Sequence, residues 1–164
     1  MDPIQALGYL EVILRILAAT LIGAILGLNR EMHGKPAGLR THALVTLGSA
    51  IITLTSLNIA NGAVIADPNA QSRVIQGIIT GVGFLGAGVI MRDASGTHVY
   101  GLTTAATIWV AASLGIVCGL GHWRFVFLSS TAMMLVLVIG GPLEKYLLLK
   151  LKKWVVPNDS NPDA

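Results

Sequence analysis

The feature that most constrains this chain is a set of long runs without Asp, Glu, Lys or Arg. Four such runs cover residues 41–60, 74–91, 101–120 and 125–143, and a fifth, residues 12–28, contains only Arg15. Each run is about long enough to cross a hydrocarbon core of roughly 30 Å as a helix. Arg15 lies near the start of its run, so it can reach the headgroups. The runs predict an all-α integral membrane protein, a bundle of five transmembrane helices at about residues 10–28, 39–60, 74–91, 101–120 and 125–148.

Composition narrows the class of function. Of the 164 residues, 54% are hydrophobic and 12% charged, whereas a soluble domain has about 25% charged residues. Aromatic residues are 5% and do not alternate with a basic stripe, which disfavours a nucleic-acid partner. Metalloprotease and serine-hydrolase motifs are absent, and Cys118 is the single cysteine. We expect a non-enzymatic protein with no metal or cofactor, whose first partner is the lipid bilayer.

The distribution of Lys and Arg predicts the orientation. One side of the five-helix arrangement carries eight of these residues: Arg30, Lys35, Arg40, Arg92, Lys145, Lys150, Lys152 and Lys153. The other side carries three: Arg15, Arg73 and Arg124. Cytoplasmic loops are enriched in Lys and Arg, so the N-terminus is expected outside and the C-terminus in the cytoplasm. In the alternative, the first helix lies in the interface, four helices span the membrane, and both ends are inside.

The chain is expected to form one transmembrane domain over residues 1–154, followed by a short polar cytoplasmic tail at 155–164. Gly140, Gly141 and Pro142 are predicted to interrupt the end of the fifth helix, because glycine and proline punctuate regular structure. The leucines and lysines that follow are typical of a basic extension along the inner membrane surface.

The third predicted helix is unusually rich in glycine. Its candidate packing residues are Gly77, Gly81, Gly83, Gly86 and Gly88. Small residues four apart let helix backbones approach closely, and the pairs Gly23 with Gly27 and Gly115 with Gly119 share this spacing. Packing within the monomer is the first interpretation for the third helix. A face that binds a second copy of the chain, or a broken helix that lines a cavity, are the alternatives.

A candidate ion pair lies in the first helix. Glu11 and Arg15 are four residues apart, so their side chains share one face of the helix near the predicted outer boundary. Charged residues in a membrane are functional candidates. The pair is interpreted as structural and self-neutralising, with a role in an ion or proton path as the alternative.

The densest polar region follows the first helix and predicts a cytoplasmic anion site. Helices 2 and 4 are both expected to begin there, and helix N-termini attract anions. Arg40 is expected at the centre of this site, with Thr103 and Thr104 capping helix 4. The alternative is ordinary positive-inside charge, with Glu31 pairing with an arginine. The candidate cluster comprises Arg30, Glu31, Lys35, Arg40, Thr41, His42, Arg92, Thr103 and Thr104.

Three segments resemble one known family. They are PAGLRTH at 36–42, GVGFLGAGVI at 81–90 and VYGLTTAATIW at 99–109, and in this order they resemble the MgtC/SapB family of bacterial inner-membrane proteins. The resemblance implies a role in stress adaptation, namely growth at low magnesium and survival inside phagocytes. It also implies modulation of another membrane complex such as the proton ATP synthase, which the best-known member restrains. A small transporter or channel for Mg²⁺ or protons is the alternative function. A homo-oligomer is a possible partner arrangement for both functions.

Overall fold

The computed structural model describes residues 8–62, 69–95 and 97–155, which are predominantly helical. In this part of the chain, five helices and two short strands follow in the order α1 (Tyr9–Met32), α2 (Leu39–Gly62), α3 (Ala70–Val89), β1 (Met91–Arg92), β2 (Val99–Tyr100), α4 (Leu102–Leu120) and α5 (Trp123–Val155). The predicted tail falls almost entirely outside the described residues.

Four of the described helices are long and apolar enough to cross a membrane. They are α1, α3, α4 and the segment Trp123–Leu151 of α5, with mean hydropathies between 1.3 and 2.1. The predicted class, an α-helical membrane protein, is confirmed at this level. Helix α2 is as long as α1, although it is not among these four candidate spans.

The polar face of α2 is buried inside the protein. Its side chains are spaced three or four residues apart, so they line one side of the helix. Thr46 donates a hydrogen bond to the carbonyl of His42 at 3.0 Å, and Thr53 to that of Ser49 at 2.8 Å. These bonds within the helix offset the cost of burying hydroxyl groups. The buried stripe comprises His42, Thr46, Ser49, Thr53 and Ser56.

Helices α1 to α4 alternate in direction. Gly23 of α1 packs against Ala43 of α2, whereas Gly27 packs against Leu39, so these two helices are antiparallel. Arg30 bonds Thr104 of α4, and Arg15 bonds Gly119, so α1 and α4 are antiparallel too. We call the end of these helices where Arg30 contacts Thr104 the Arg30 end, and the end where Arg15 contacts Gly119 the Arg15 end. Helices α2 and α4 begin at the Arg30 end, where α1 finishes.

The apolar core consists of two clusters. One joins α3 to α4 through Ile78, Val82, Ile108, Ala112 and Ile116. The other lies nearer the Arg15 end and brings together Ala19, Ala50, Cys118 and Val126, from four different helices. Both clusters contain small or branched residues, which allow close contact between neighbouring helices.

The chain divides into two compact units, Met1–Ser130 and Thr131–Ala164. The described part of the second unit is the continuation of α5, which runs through Gly140, Gly141 and Pro142 without a break. This corrects the predicted interruption. A proline removes a single N–H donor from a helix, and the leucine- and lysine-rich sequence that follows favours helix strongly enough to continue.

A short β-hairpin, which the helix predictions did not include, joins α3 to α4. Met91 pairs with Tyr100 and Arg92 with Val99. Asp93 organises the turn, since it accepts hydrogen bonds from the Ser95 hydroxyl at 2.7 Å and from the His98 backbone N–H at 3.1 Å. These bonds, led by that of Ser95, lower the pKa of Asp93 to about 2.

Candidate functional site

Three polar side chains from three helices meet in the interior at the Arg30 end. Arg30 lies in the last turn of α1, His42 in the first turn of α2 and Thr104 in the first turn of α4. All are buried, with exposed fractions of 4%, 0% and 3%. We call these three residues the buried basic centre. The loop between α1 and α2 closes over it, with Gly34 at φ 62° and Ala37 at φ 58° in the left-handed region.

The hydrogen bonds of the buried basic centre leave two nitrogens without a partner. Nη2 of Arg30 donates to Oγ1 of Thr104 at 2.6 Å and to the carbonyl of Pro36 at 3.2 Å. Nδ1 of His42 lies 3.1 Å from the carbonyl of Gly38. Nε of Arg30 and Nε2 of His42 are buried, yet neither has a partner among the described residues. Such groups are rare in native proteins and call for an explanation.

The charge of Arg30 is also unmatched by an acid. The ion pairs among the described residues join Arg15 to Glu11 and His98 to Asp93. The alternative interpretation supposed that Glu31 pairs with an arginine, but it does not. Its carboxylate accepts a hydrogen bond from the backbone N–H of Leu39 at 3.0 Å, so it caps the start of α2.

The rest of the predicted cluster is not part of this centre. Arg40, which was expected to be central, is exposed, because it lies on a different face of α2 from His42. Thr103 is exposed too, and α4 begins without a side-chain cap at Gly101. Gly101 has φ 89°, and a Cβ there would collide with the carbonyl of Val89. The remaining exposed members are Glu31, Lys35, Thr41 and Arg92.

The predicted ion pair at the Arg15 end is present and is tied to a second helix. Nε of Arg15 lies 2.9 Å from Glu11, and Nη1 donates to the carbonyl of Gly119 at 2.9 Å. The guanidinium covers Gly121, whose φ of 75° and lack of a side chain make room for it. Arg15 therefore has both an acid and the negative end of α4 as partners.

Four of the five glycines of α3 do not pack against this chain as predicted. A Cβ on Gly77, Gly81, Gly83 or Gly88 would meet nothing within 4 Å, and one on Gly86 would make ordinary contact with Ala105. This corrects the prediction of packing within the monomer for the four open glycines, whereas Gly86 is buried and packs against α4 as predicted. Close packing occurs instead at Gly23, Gly27, Gly115 and Gly119, where a Cβ would overlap neighbouring atoms.

Two of the open glycines line an apolar groove between α2 and α3. The groove has a volume of about 580 Å³. Gly48 on α2 lies opposite them, and a Cβ there would also meet nothing. The walls are almost entirely apolar. The lining residues are Leu44, Val45, Gly48, Ser49, Ile52, Val74, Gly77, Ile78, Gly81, Val82 and Leu85.

Among the described residues, no group of three or more His, Cys, Asp and Glu side chains is arranged to hold a metal ion. The two acids of α1 are engaged, Glu11 by Arg15 and Glu31 by Leu39. The polar chemistry of the described helices is thus concentrated in the buried basic centre and in the Arg15 pair.

Comparison with known proteins identifies the family. A model of the MgtC family matches residues 16–146, a range that includes the buried basic centre and the groove. This chain belongs to the MgtC family. The resemblance drawn from the three sequence segments is confirmed.

Individual members of the MgtC family are similar over the same region. Protein SrpB of Synechococcus elongatus is 48% identical over 116 residues, 67% of this chain and 64% of the relative. Protein MgtC of Salmonella typhimurium is 46% identical over 112 residues, 68% of this chain and 45% of the relative. Protein SapB of Bacillus subtilis is 41% identical over 124 residues, 73% of this chain and 52% of the relative. The match thus spans about half to two thirds of each relative. No solved structure matches the chain.

Arg30 was not distinguished from the other residues of the predicted cluster, although the sequence carries a signal for its burial. Arg15, Ala19, Gly23, Gly27 and Arg30 recur every three or four residues, and all are buried. An arginine that shares a helix face with closely packed glycines is directed into the protein rather than toward lipid.

Proposed function

We propose that this member of the MgtC family is a non-enzymatic protein of the bacterial inner membrane that supports adaptation to low magnesium and intracellular survival by binding another membrane complex. The observation that carries this proposal is the groove between α2 and α3. In a bilayer, helices associate where small residues let backbones approach. Gly48, Gly77 and Gly81 offer such a surface, and no side chain of the described residues fills the space above them.

The family resemblance suggests which membrane complex to test as the partner. The resemblance to the MgtC/SapB family points to the proton ATP synthase, whose membrane sector is itself built of helices. An α-helix with a small side-chain envelope is about 10 Å across, and a groove floored by glycine suits its closest approach.

The proposed topology has five membrane crossings, with the N-terminus outside and the C-terminus in the cytoplasm. Helix α2 has 24 residues and is about 36 Å long at the rise of an α-helix. It packs antiparallel to α1, and its polar face is turned toward other helices, so its polar residues do not prevent it from crossing. A reporter active only outside the cytoplasm, fused after residue 164, should give no signal. A strong signal would contradict this topology.

The functional experiment compares two glycines of α3 that are equally open but differently placed. Gly81 lines the groove and Gly83 does not. ATP-driven proton pumping is measured in inverted membrane vesicles with and without the protein. We expect the wild type to lower pumping, Gly81→Leu to relieve this effect because leucine fills the groove, and Gly83→Leu to act like the wild type.

Growth at low magnesium provides the second readout. A strain that lacks the protein is complemented with each variant, and abundance in the membrane is measured in parallel. Gly81→Leu should fail to restore growth at normal abundance, whereas Gly83→Leu should restore it. If Gly81→Leu matches the wild type in both assays, the groove does not carry the function. Cross-links from position 81 to a second copy would instead make the groove a self-interface.

A transporter or channel for Mg²⁺ or protons remains the alternative function, but no specific observation favours it. Mg²⁺ prefers oxygen ligands, usually including carboxylates. Glu11 and Glu31 lie at opposite ends of α1, and each already has a partner. Saturable Mg²⁺ or proton flux in liposomes that contain the purified protein would support this alternative.

A further inference from the structure

We propose that the buried basic centre binds a hydrogen phosphate group, either as inorganic phosphate or as the phosphomonoester headgroup of an anionic lipid. The inference does not depend on the proposed function, because it concerns the interior at the Arg30 end and not the groove. It starts from the two buried nitrogens, Nε of Arg30 and Nε2 of His42, that lack partners among the described residues.

The two side chains occupy the same corner of the protein. Arg30 bonds the carbonyl of Pro36, and His42 bonds that of Gly38, two residues further along the same loop. Arg30 also reaches across to Thr104 in the first turn of α4. The centre is thus bounded by the starts of α2 and α4, and the positive end of a helix favours an anion. At α2, the N–H of Leu39 already donates to Glu31.

Arg30 differs from Arg15, the other buried arginine of α1, in the groups that surround its charge. Arg15 and Arg30 are both more than nine-tenths buried. Arg15 pairs with Glu11 and the carbonyl of Gly119, whereas the observed acceptors of Arg30 are a hydroxyl and a carbonyl, which are both neutral. A buried charge is normally paired. An anion would give Arg30 what Glu11 gives Arg15.

The pattern of donors and acceptors selects among anions. Nε of Arg30 is a donor, and the hydroxyl of Thr104, which accepts from Arg30, has its own hydrogen left to donate. Because a carbonyl only accepts, Nδ1 of His42 carries the hydrogen of its bond to Gly38. In a neutral ring Nε2 is then an acceptor. Hydrogen phosphate matches this set, since it has oxygens that accept and a P–OH group that donates. Sulfate and chloride lack such a hydroxyl near neutral pH.

The first experiment follows the thermal stability of the purified full-length protein in detergent at pH 7. Sodium phosphate, sodium sulfate and sodium chloride are added at matched ionic strength. Phosphate should raise Tm saturably, by about 5 °C when its concentration is roughly a hundredfold above Kd. Sulfate should bind at least about tenfold more weakly, because it leaves Nε2 unpaired. No shift with phosphate, or equal shifts with sulfate and phosphate, would overturn the proposal.

Matched variants locate the effect. Arg30→Lys keeps the charge but loses the planar fork, so phosphate should bind at least about tenfold more weakly. Arg40→Lys makes the same exchange at an exposed position of the neighbouring helix and should leave Kd unchanged. His42→Asn should remove the preference for phosphate over sulfate. If Arg30→Lys does not fold, the wild-type titration and His42→Asn still decide the question. Equal loss in Arg30→Lys and Arg40→Lys would contradict the assignment.

The source of the phosphate group is settled with lipids. The protein is reconstituted in vesicles of phosphatidylcholine alone, with added phosphatidic acid, or with added phosphatidylglycerol, whose phosphodiester lacks the P–OH. Stabilisation by phosphatidic acid that makes inorganic phosphate ineffective identifies a lipid headgroup. Stabilisation by inorganic phosphate alone identifies a free ligand. Equal stabilisation by both anionic lipids would overturn the proposal, because it reflects surface charge only.

Discussion

Helix α2 contacts its neighbours in two different ways. Toward α1 and α4 it makes very close contacts. Gly23, Gly115 and Gly119 lie against residues of its buried stripe, and Gly27 lies against Gly38 and Leu39 where the helix begins. Toward α3 it is separated by the groove, and Gly48, Gly77 and Gly81 face open space there. Both sides contain glycine, yet only one of them uses glycine to bring helices of this chain together.

The difference shows that the partner, and not the glycine spacing, decides what a glycine does. On the close side, each glycine is met by a Ser, Thr or small residue whose backbone can come near. On the open side, the large side chains of Leu44, Ile52 and Leu85 line the walls and are about half exposed or more, so they border the space without filling it. Glycine between large residues leaves a depression, and glycine opposite small residues leaves none.

The largest effect is expected on the close side. Gly115→Leu places a Cβ on the backbone carbonyl of Thr46 and near Ser49, so α2 and α4 must separate. We expect a loss of at least about 3 kcal/mol in the free energy of unfolding. The measurement is denaturant unfolding in detergent. A stable Gly115→Leu variant would break the comparison, because it would show that the close side can expand.

A smaller change on the same side sharpens the comparison. In Gly23→Ala the new methyl group would lie 2.6 Å from the carbonyl of His42 and would overlap the hydroxyl of Thr46. The expected loss is about 2 kcal/mol. Gly86→Ala is the matched control on α3, since its Cβ would lie 3.6 Å from that of Ala105, an ordinary contact distance. Equal losses in both variants would mean that the effect is not one of close contact.

On the open side, the sign of the effect should reverse. Gly81→Ala adds a methyl group that meets nothing, and alanine favours a helix over glycine by about 0.5–1 kcal/mol. We therefore expect a slightly higher unfolding free energy, and a similar gain for Gly83→Ala. Destabilisation by Gly81→Ala in the detergent-solubilised monomer would show that the groove closes.

The smallest effect is expected outside the helices, in the β-hairpin, which serves as a control region. The pKa of Asp93 is lowered to about 2 from an ordinary value of 3.8. A lowered pKa means that the charged carboxylate stabilises the hairpin above about pH 4, and that this stabilisation is lost as the pH falls through 2. The NMR shift of the His98 amide, which bonds Asp93, should titrate with a midpoint near 2. A midpoint near 4 would contradict the turn geometry.

The helices could be predicted from the sequence because lipid imposes a simple rule. A transmembrane segment has to satisfy its backbone hydrogen bonds internally and expose apolar side chains to lipid. A long uncharged run in the sequence therefore indicates a transmembrane helix directly. The pair Glu11–Arg15 was accessible for a similar reason, since residues four apart on a helix are neighbours whatever surrounds them.

The contents of the buried basic centre could not be predicted in the same way. Arg30 and Arg40 lie near the same short loop, and both satisfy a positive-inside interpretation. Which of them is buried depends on the rotation of each helix about its axis, and that rotation is set by contacts with other helices. The two-residue strands were missed because they are too short to show an alternating pattern.

Cys118 has a consequence for how this protein can be studied. It is the single thiol of the chain, and it is fully buried among Ala19, Ala50 and Val126. A thiol reagent can reach it only when the helices around it separate. The rate of alkylation therefore reports the opening of the folded protein in native membranes, without extraction, dyes or added cysteines. The sulfur atom of Cys118 is thus a native probe of how often these helices separate.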